Sequence, residues 1–381
     1  MLIIKGGEIH DGIRQEGYQA DILVEGGKIK RIEPRIQPPE NARVTDARGL
    51  LVYPGFIDAH SHLGMDGYGI GYEGTDYNEL NDILSPQLRG IDGFKPLQPT
   101  LREAALAGVT TVNTGPGSAN VLGGTFVAMK TVGTRADDMV VKRETAMKCA
   151  FGENPKRVYQ DKGNSSRMTT AARLREVLFK AREYAAKKEA AKDDPTKAPA
   201  FDMKLEALLP VLRKEIPLKA HAHATEDIFT AIRIAREFDV DLTLEHVTEG
   251  HLIAEDLAKE GIPLAIGPSL STASKFELRN RTFATPAILD RAGCTVSITT
   301  DAPVIPQEYL TLCAALAVKD GMDPFHALQA ITINPARHSG IAHRVGSLEA
   351  GKDADIVLMD GDCFDVAASV VKVFILGEEV V

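Results

Sequence analysis

The hydrophobic rhythm of the chain changes twice. From residue 2 to 52, short apolar runs stop at paired glycines: Leu2-Ile3-Ile4 before Gly6-Gly7, and Ile22-Leu23-Val24 before Gly26-Gly27, after which Lys28 to Ile32 resumes the alternation. Period-two alternation interrupted by turn residues predicts strands joined as hairpins. The far end has the same character, with Gly346 to Gly351, then Ala354 to Met359, then Val370 to Leu376 before Gly377. Chain ends commonly lie close together, so the two ends are expected to form one small β-sandwich, residues 1–53 with 346–381. Between them, strand-like runs alternate with helical ones. Strands are expected at Val109 to Asn113, Thr145 to Phe151, Pro217 to His221, Asp241 to His246, Ile262 to Ile266 and Thr295 to Thr299, with Thr125 to Val132 as an ambiguous further one. Helices are expected at Arg167 to Lys192 and Glu226 to Phe238, each with an apolar stripe at helical spacing. Repeated β-then-α units over residues 54–345 predict an α/β fold with a TIM-like (β/α)8 barrel rather than an open sheet.

Composition narrows the class without choosing an activity. The 381 residues are 44% hydrophobic and 25% charged, ordinary for a globular protein with a sizeable core. A net charge of −9 with no basic run argues against a nucleic-acid partner. No long apolar segment or signal pattern is visible, so no membrane association is expected. Cys149, Cys294, Cys313 and Cys363 form no CxxC pair and read as free thiols of a reducing compartment, hence a cytoplasmic location.

Chemistry collects where the expected strands end. The stretch GFIDAHSHLG (Gly55 to Gly64) carries His60 and His62, whose side chains would face the same side of a strand and supply half of a divalent-metal site. Lys148, His221, His223, His246 and Asp301 fall at or near the ends of later strands. In a barrel of parallel strands those ends meet at one mouth. A lone histidine at a strand end is usually a satisfied polar residue; this many placements in register with one architecture point to a metal centre.

In order, PGFIDAHSHLG, AMKCAFGEN, KAHAHATED, TLEHVTEG and ITTDAP resemble the amidohydrolase superfamily, as do the flanking runs ADILVEGGKIKRI and NPARHSGI…VGSLEAGKDADIVL. The resemblance spans essentially the whole chain and is nearest to imidazolonepropionase-related and isoaspartyl-dipeptidase-like members. It implies a hydrolase cleaving an amide or related C–N bond of a small substrate, such as a dipeptide or N-acyl amino acid, with metal-activated hydroxide. Carried over residue by residue, it implies that His60, His62 and Asp301 hold one ion and that His221 and His246 hold a second. The cofactor implied is one or two divalent ions, zinc being expected. A carboxylated Lys148 or, as the alternative, Glu153 would bridge them. Strand parity favours Lys148, since the bulky Met147, Cys149 and Phe151 suit the helix-facing side. Asp301 would also be the catalytic proton shuttle.

Substrate contacts are expected from His223, from Ser118 in a Gly-Pro-Gly-Ser loop, and from Arg279 in the charged run Lys275, Arg279, Arg281. A homo-oligomer with a small-molecule substrate is expected. Two rivals stand beside this reading: a mononuclear-metal deaminase or cyclic-amide hydrolase, and a non-catalytic barrel acting as a binding or assembly module.

Overall fold

In the computed structural model, which describes residues 1–380, the two chain ends share one eight-stranded sheet. Val381, the last residue of the expected C-terminal segment, lies outside the described residues. The N-terminal part supplies β1 (Leu2–Ile9), β2 (Tyr18–Glu25), β3 (Lys28–Glu33), β4 (Arg43–Asp46) and β5 (Leu51–Pro54). After the barrel strands β6 to β13 come β14 (Ile356–Met359), β15 (Val370–Ile375) and β16 (Glu378–Glu379). The ends meet where β5 pairs antiparallel with β14, Leu51 opposite Met359 and Pro54 opposite Ile356.

Strand alternation explains how this sheet serves two cores. Ile356, Leu358, Val52 and Phe374 pack with Ile4, Ile22 and Ile29 on one face. Their neighbours Val357, Met359, Tyr53, Val373 and Ile375 join the large core that continues into the barrel. The attachment also carries charge: buried Lys130 forms ion pairs with Asp353 (3.1 Å) and Asp355, while Lys28 and Arg344 reach Asp353 at 2.5 and 2.9 Å. At Gly55, where the chain passes from sheet to barrel, a Cβ would stand 2.1 Å from Thr110 Oγ1, so only glycine permits the close passage.

The second sheet is the barrel wall: β6 (Phe56–Ser61), β7 (Val109–Thr114), β8 (Leu122–Lys130), β9 (Val140–Ala150), β10 (Leu218–Ala222), β11 (Leu242–His246), β12 (Leu264–Ile266) and β13 (Val296–Ile298). The ambiguous segment is thus β8, and it runs antiparallel to both β7 and β9 while the other strands are parallel. The cause is the connection. Residues 115–121 separate β7 from β8, whereas a parallel crossover needs about a dozen residues or more.

Between β13 and β6 the ladder is incomplete and Asp58 spans the gap. Its Oδ1 accepts from the His60 amide (2.9 Å) and the Thr299 hydroxyl (2.6 Å); its Oδ2 accepts from the Thr300 amide and hydroxyl and from Gln307. Outside the wall, the helix Arg167–Asp193 starts on a Ser166 side-chain cap, and its Leu174, Val177 and Leu178 share the core with Met147, Cys149 and Phe151. The helix Thr225–Phe238 buries Ile228, Ile232, Ala235 and Phe238. All four cysteines are free and buried. Among the described residues, no helix is long and apolar enough to cross a membrane.

Candidate metal centre

The carboxyl ends of the parallel strands converge at one mouth, and the expected residues come with them. His60 lies in β6 and His62 just after it; Lys148 is in β9, His221 in β10, His223 just beyond, and His246 ends β11. Asp301 arrives differently from the strand-borne residues. β13 stops at Ile298, and Asp301 sits in the following turn with φ +53°. His246 also has a left-handed φ, +73°. Non-glycine residues tolerate that region only where the surroundings impose it. For Asp301 those surroundings are the Thr299 and Thr300 bonds to Asp58.

Two groups of potential ligands result: His60, His62 and Asp301, and His221, His223 and His246, with the ligand atoms of each lying within 4.8 Å of one another. The groups adjoin, the His60 and His246 rings being 5.0 Å apart and the His246 and Asp301 side chains 4.0 Å. Hydrogen bonds fix the free lone pairs. His62 Nδ1 meets the Gly115 carbonyl at 2.8 Å and His246 Nδ1 meets the Gly267 carbonyl at 2.7 Å. A carbonyl only accepts, so each Nδ1 carries the proton and each Nε2 presents a lone pair to the mouth. His62 Nε2 then faces Asp301 Oδ1 at 3.3 Å, acceptor against acceptor. Neither ring nitrogen of His221, nor Asp301 Oδ1, has a hydrogen-bond partner although all are buried. Buried polar atoms are rarely left so. A divalent cation between opposed lone pairs satisfies them, and imidazole with carboxylate is a donor set suited to zinc-like ions.

Burial also sets the protonation states. It drives the imidazoles of His60, His221 and His223 well below the usual range and that of His246 to about 4, leaving them neutral and able to ligate. Burial likewise pushes the Lys148 ammonium down to about 8. At Asp301 burial acts upward, but His246 and His62, once protonated in acid, outweigh it and hold the carboxyl below its usual range.

The two bridging candidates lie in different surroundings. Lys148 is fully buried, its Nζ 3.1 Å from His60 Nε2. Gly152, at φ +81°, ends the strand path, and Glu153 begins a short helix with its carboxylate accepting from the Phe276 amide. Of the expected substrate contacts, Ser118 and His223 line a cavity of about 340 Å³ over the two groups. Arg279 lies outside that lining, paired with Glu249 at 3.0 Å and stacked over Phe276.

Several residues were not anticipated. Glu277 is buried beside the second group, its Oε1 3.8 and 3.7 Å from His221 and His223 and 2.7 Å from Lys275. Beneath the centre, Lys219 Nζ donates to Glu245 at 2.8 Å, Glu245 pairs with His338 at 2.9 Å, and Glu245 Oε2 lies 3.1 Å from His60 Nδ1. Asp58 and Glu245 adjoin histidines in the quoted motifs, and Lys219 shares strand parity with His221, so those signals were available. His338 lies in the quoted NPARHSGI run, whereas Glu277, in a one-turn helix after the seventh strand of the barrel, carried no signal.

Known proteins resemble this chain in sequence and in fold. The model of the Amidohydrolase family matches residues 51–380. The amidohydrolase tasK of Hapsidospora irregularis is 30% identical over 96% of this chain, which spans only 40% of that relative's length. The imidazolonepropionase of Thermoplasma acidophilum is 25% identical over 90% of this chain and 83% of its own. Among solved structures, an amidohydrolase from Thermotoga maritima superposes with TM-score 0.96 and 39% identity over the full length of both chains. A Xaa-Pro dipeptidase with methionine in its active site, 18% identical with TM-score 0.60 over 99% of each chain, shares the fold.

Proposed function

Because this chain belongs to the amidohydrolase family, hydrolases of carbon–nitrogen bonds, we propose that it cleaves an amide or peptide-like bond of a small substrate, with divalent metal held by the two groups at the barrel mouth. The observation that carries this reading is the opposition of unprotonated donors, His62 Nε2 against Asp301 Oδ1 with the unpartnered His221 alongside. His60, His62 and Asp301 would hold the first ion, and His221 and His246 the second. Lys148, carboxylated on Nζ, would join them; its burial against His60 supports that choice over Glu153, whose carboxylate is committed to the Phe276 amide. His223, whose Nε2 lies 3.1 Å from Lys275 Nζ, is left to face substrate.

Divalent metal bound here would acidify water and polarise the scissile carbonyl; zinc suits the donors. The chain's own part falls to Asp301. Its carboxylate lies beside His60 and His62 at the cavity floor, accepts the proton of the attacking water, and returns it to the leaving amine. The Gly115 and Gly267 carbonyls hold the His62 and His246 rings, and the turn fastened to Asp58 keeps the carboxylate oriented. Four buried free thiols support a cytoplasmic assignment.

Metal analysis joined to a hydrolysis screen tests this reading. Two bound equivalents and cleavage of dipeptides or N-acyl amino acids are expected. One equivalent with deaminase or lactam-opening activity would favour the mononuclear alternative, and metal-loaded protein inert towards all of these would leave a binding module.

A further inference from the structure

The cavity over the metal centre has a second wall whose chemistry the hydrolytic step does not use. Lys275, Asn154, Ser118 and Arg157 line it, opposite in kind to the histidines and Asp301. Three of the four are tied to one another or to a neighbour. Lys275 is neutralised by Glu277 and donates to Asn154 Oδ1 at 3.1 Å, and Asn154 Nδ2 donates to Ser118 Oγ at 2.7 Å. Because Ser118 Oγ accepts in that bond, its own hydroxyl proton remains available. Arg157 differs: it stands exposed at the cavity rim, and among the described residues no carboxylate or other acceptor engages its guanidinium.

That freedom goes against local expectation. Arg157 sits four residues after Glu153 on one short helix, the spacing and order at which a Glu–Arg pair normally forms. Glu153 instead turns to the Phe276 amide, and Glu277 to the Glu153 amide and Lys275. Both nearby carboxylates are thus occupied. The carboxylate in the cavity lining, Asp301, belongs to the reacting end. A planar guanidinium with five donors, lining the same small cavity as a free hydroxyl proton, matches a carboxylate in two-point contact.

The geometry points to Arg157, assisted by Ser118, as the residue that selects substrates carrying a free carboxylate on the same small molecule as the scissile amide; this rests on the hydrolytic reading of the site. It makes the preferred substrate an anion although the protein itself is acidic.

The test pairs each N-acyl amino acid with its neutral carboxamide in metal-loaded enzyme. Charge-assisted hydrogen bonds are stronger than neutral ones, so kcat/KM should favour the free acid by about 10–100-fold. Arg157→Gln should abolish that preference mainly through KM, and Arg157→Glu should reverse it. Lys156→Gln, adjacent but outside the lining, should leave it intact. Equal rates for acid and amide, or a preference that survives Arg157→Gln, would overturn the assignment. Calorimetry supplies an arm independent of turnover: glutarate should bind metal-loaded wild-type protein more tightly than Arg157→Gln, and glutaramide should not distinguish them. Hydrolysis failing on both classes while glutarate still discriminates would overturn the hydrolytic reading alone; indistinguishable glutarate binding would overturn the carboxylate clamp whatever the activity.

Discussion

At the scale of single residues, Lys148 and Asp301 make opposite demands on experiment. Lys148 lies buried against His60, and under the proposed bridging role its loss would open a gap between two ions. Lys148→Ala should therefore release most of the second metal and most activity, with short-chain carboxylates restoring part of both by filling the gap. Metal content and kcat measured together check this; full metal and rate in Lys148→Ala with loss of both in Glu153→Gln would transfer the role to Glu153. Asp301→Asn keeps shape and one ligand oxygen but cannot accept the proton. Its kcat should fall by about 10²–10⁴-fold with much of the metal retained. Recovery of near-wild-type turnover on adding excess metal would reduce Asp301 to a ligand.

At the scale of elements, the strands bearing the histidines are held from inside the barrel by a buried charge network. Lys219 of β10 joins Glu245 of β11, the Ala59 carbonyl of β6, and through Glu245 reaches His338 on the helix Ile333–His338. Burial alone would push the Glu245 carboxyl up, yet Lys219 and His338 outweigh it and hold it well below its usual range. Removing one member of a buried pair leaves an uncompensated charge, so Lys219→Met should cost about 3–5 kcal/mol. The denaturant midpoint against wild type reads that cost. A change within experimental error would mean that Glu245 is already satisfied by His338 and His60. The same network abuts His60 Nδ1 (3.1 Å), so this variant should also weaken metal retention.

At the scale of the whole molecule, the barrel depends on the terminal sheet. Deleting residues 346–381 removes β14 and β15, exposes the edge of β5, and strips Val357, Met359, Val373 and Ile375 from the shared core. Insoluble protein is expected rather than a soluble, inactive barrel; size-exclusion chromatography of the truncated chain decides. The ion pairs at the attachment add a pH dependence. Burial pushes the Asp353 carboxyl up, but Lys130, Lys28 and Arg344 outweigh it, so its pKa lies below the ordinary 3.8. A carboxyl depressed in the folded state contributes stability that is complete above its unfolded pKa and is lost as pH falls through the folded value. Acid below about pH 4 should therefore loosen sheet from barrel, and Asp353→Asn should flatten that part of the stability profile.

Much of this protein is readable in one dimension because alternation and helical spacing report which face of an element is buried. The terminal strands and the helices Arg167–Asp193 and Thr225–Phe238 follow from that rule within a few residues, whereas β6, β10 and β11, buried on both faces, are legible only as short runs between turn signals. Parity on β9 likewise favoured Lys148, since Met147 and Cys149 needed the helix-facing side. Burial does not set strand direction: every residue of β8 is buried, as in β6, β10 and β11, yet β8 runs antiparallel to both its neighbours. The short connection before it, seen only in the fold, makes it antiparallel. Tertiary structure alone decided how Asp301 is aimed, because a turn fastened to Asp58 across the incomplete β13–β6 ladder, and not the strand, points its carboxylate. It also decided the pairing of cations. Arg279 and Arg157 are equally polar in sequence, but Glu249 claims the first, and the Phe276 amide draws Glu153 away from the second. Periodicity encodes burial; which charge finds which partner depends on segments that meet only after folding.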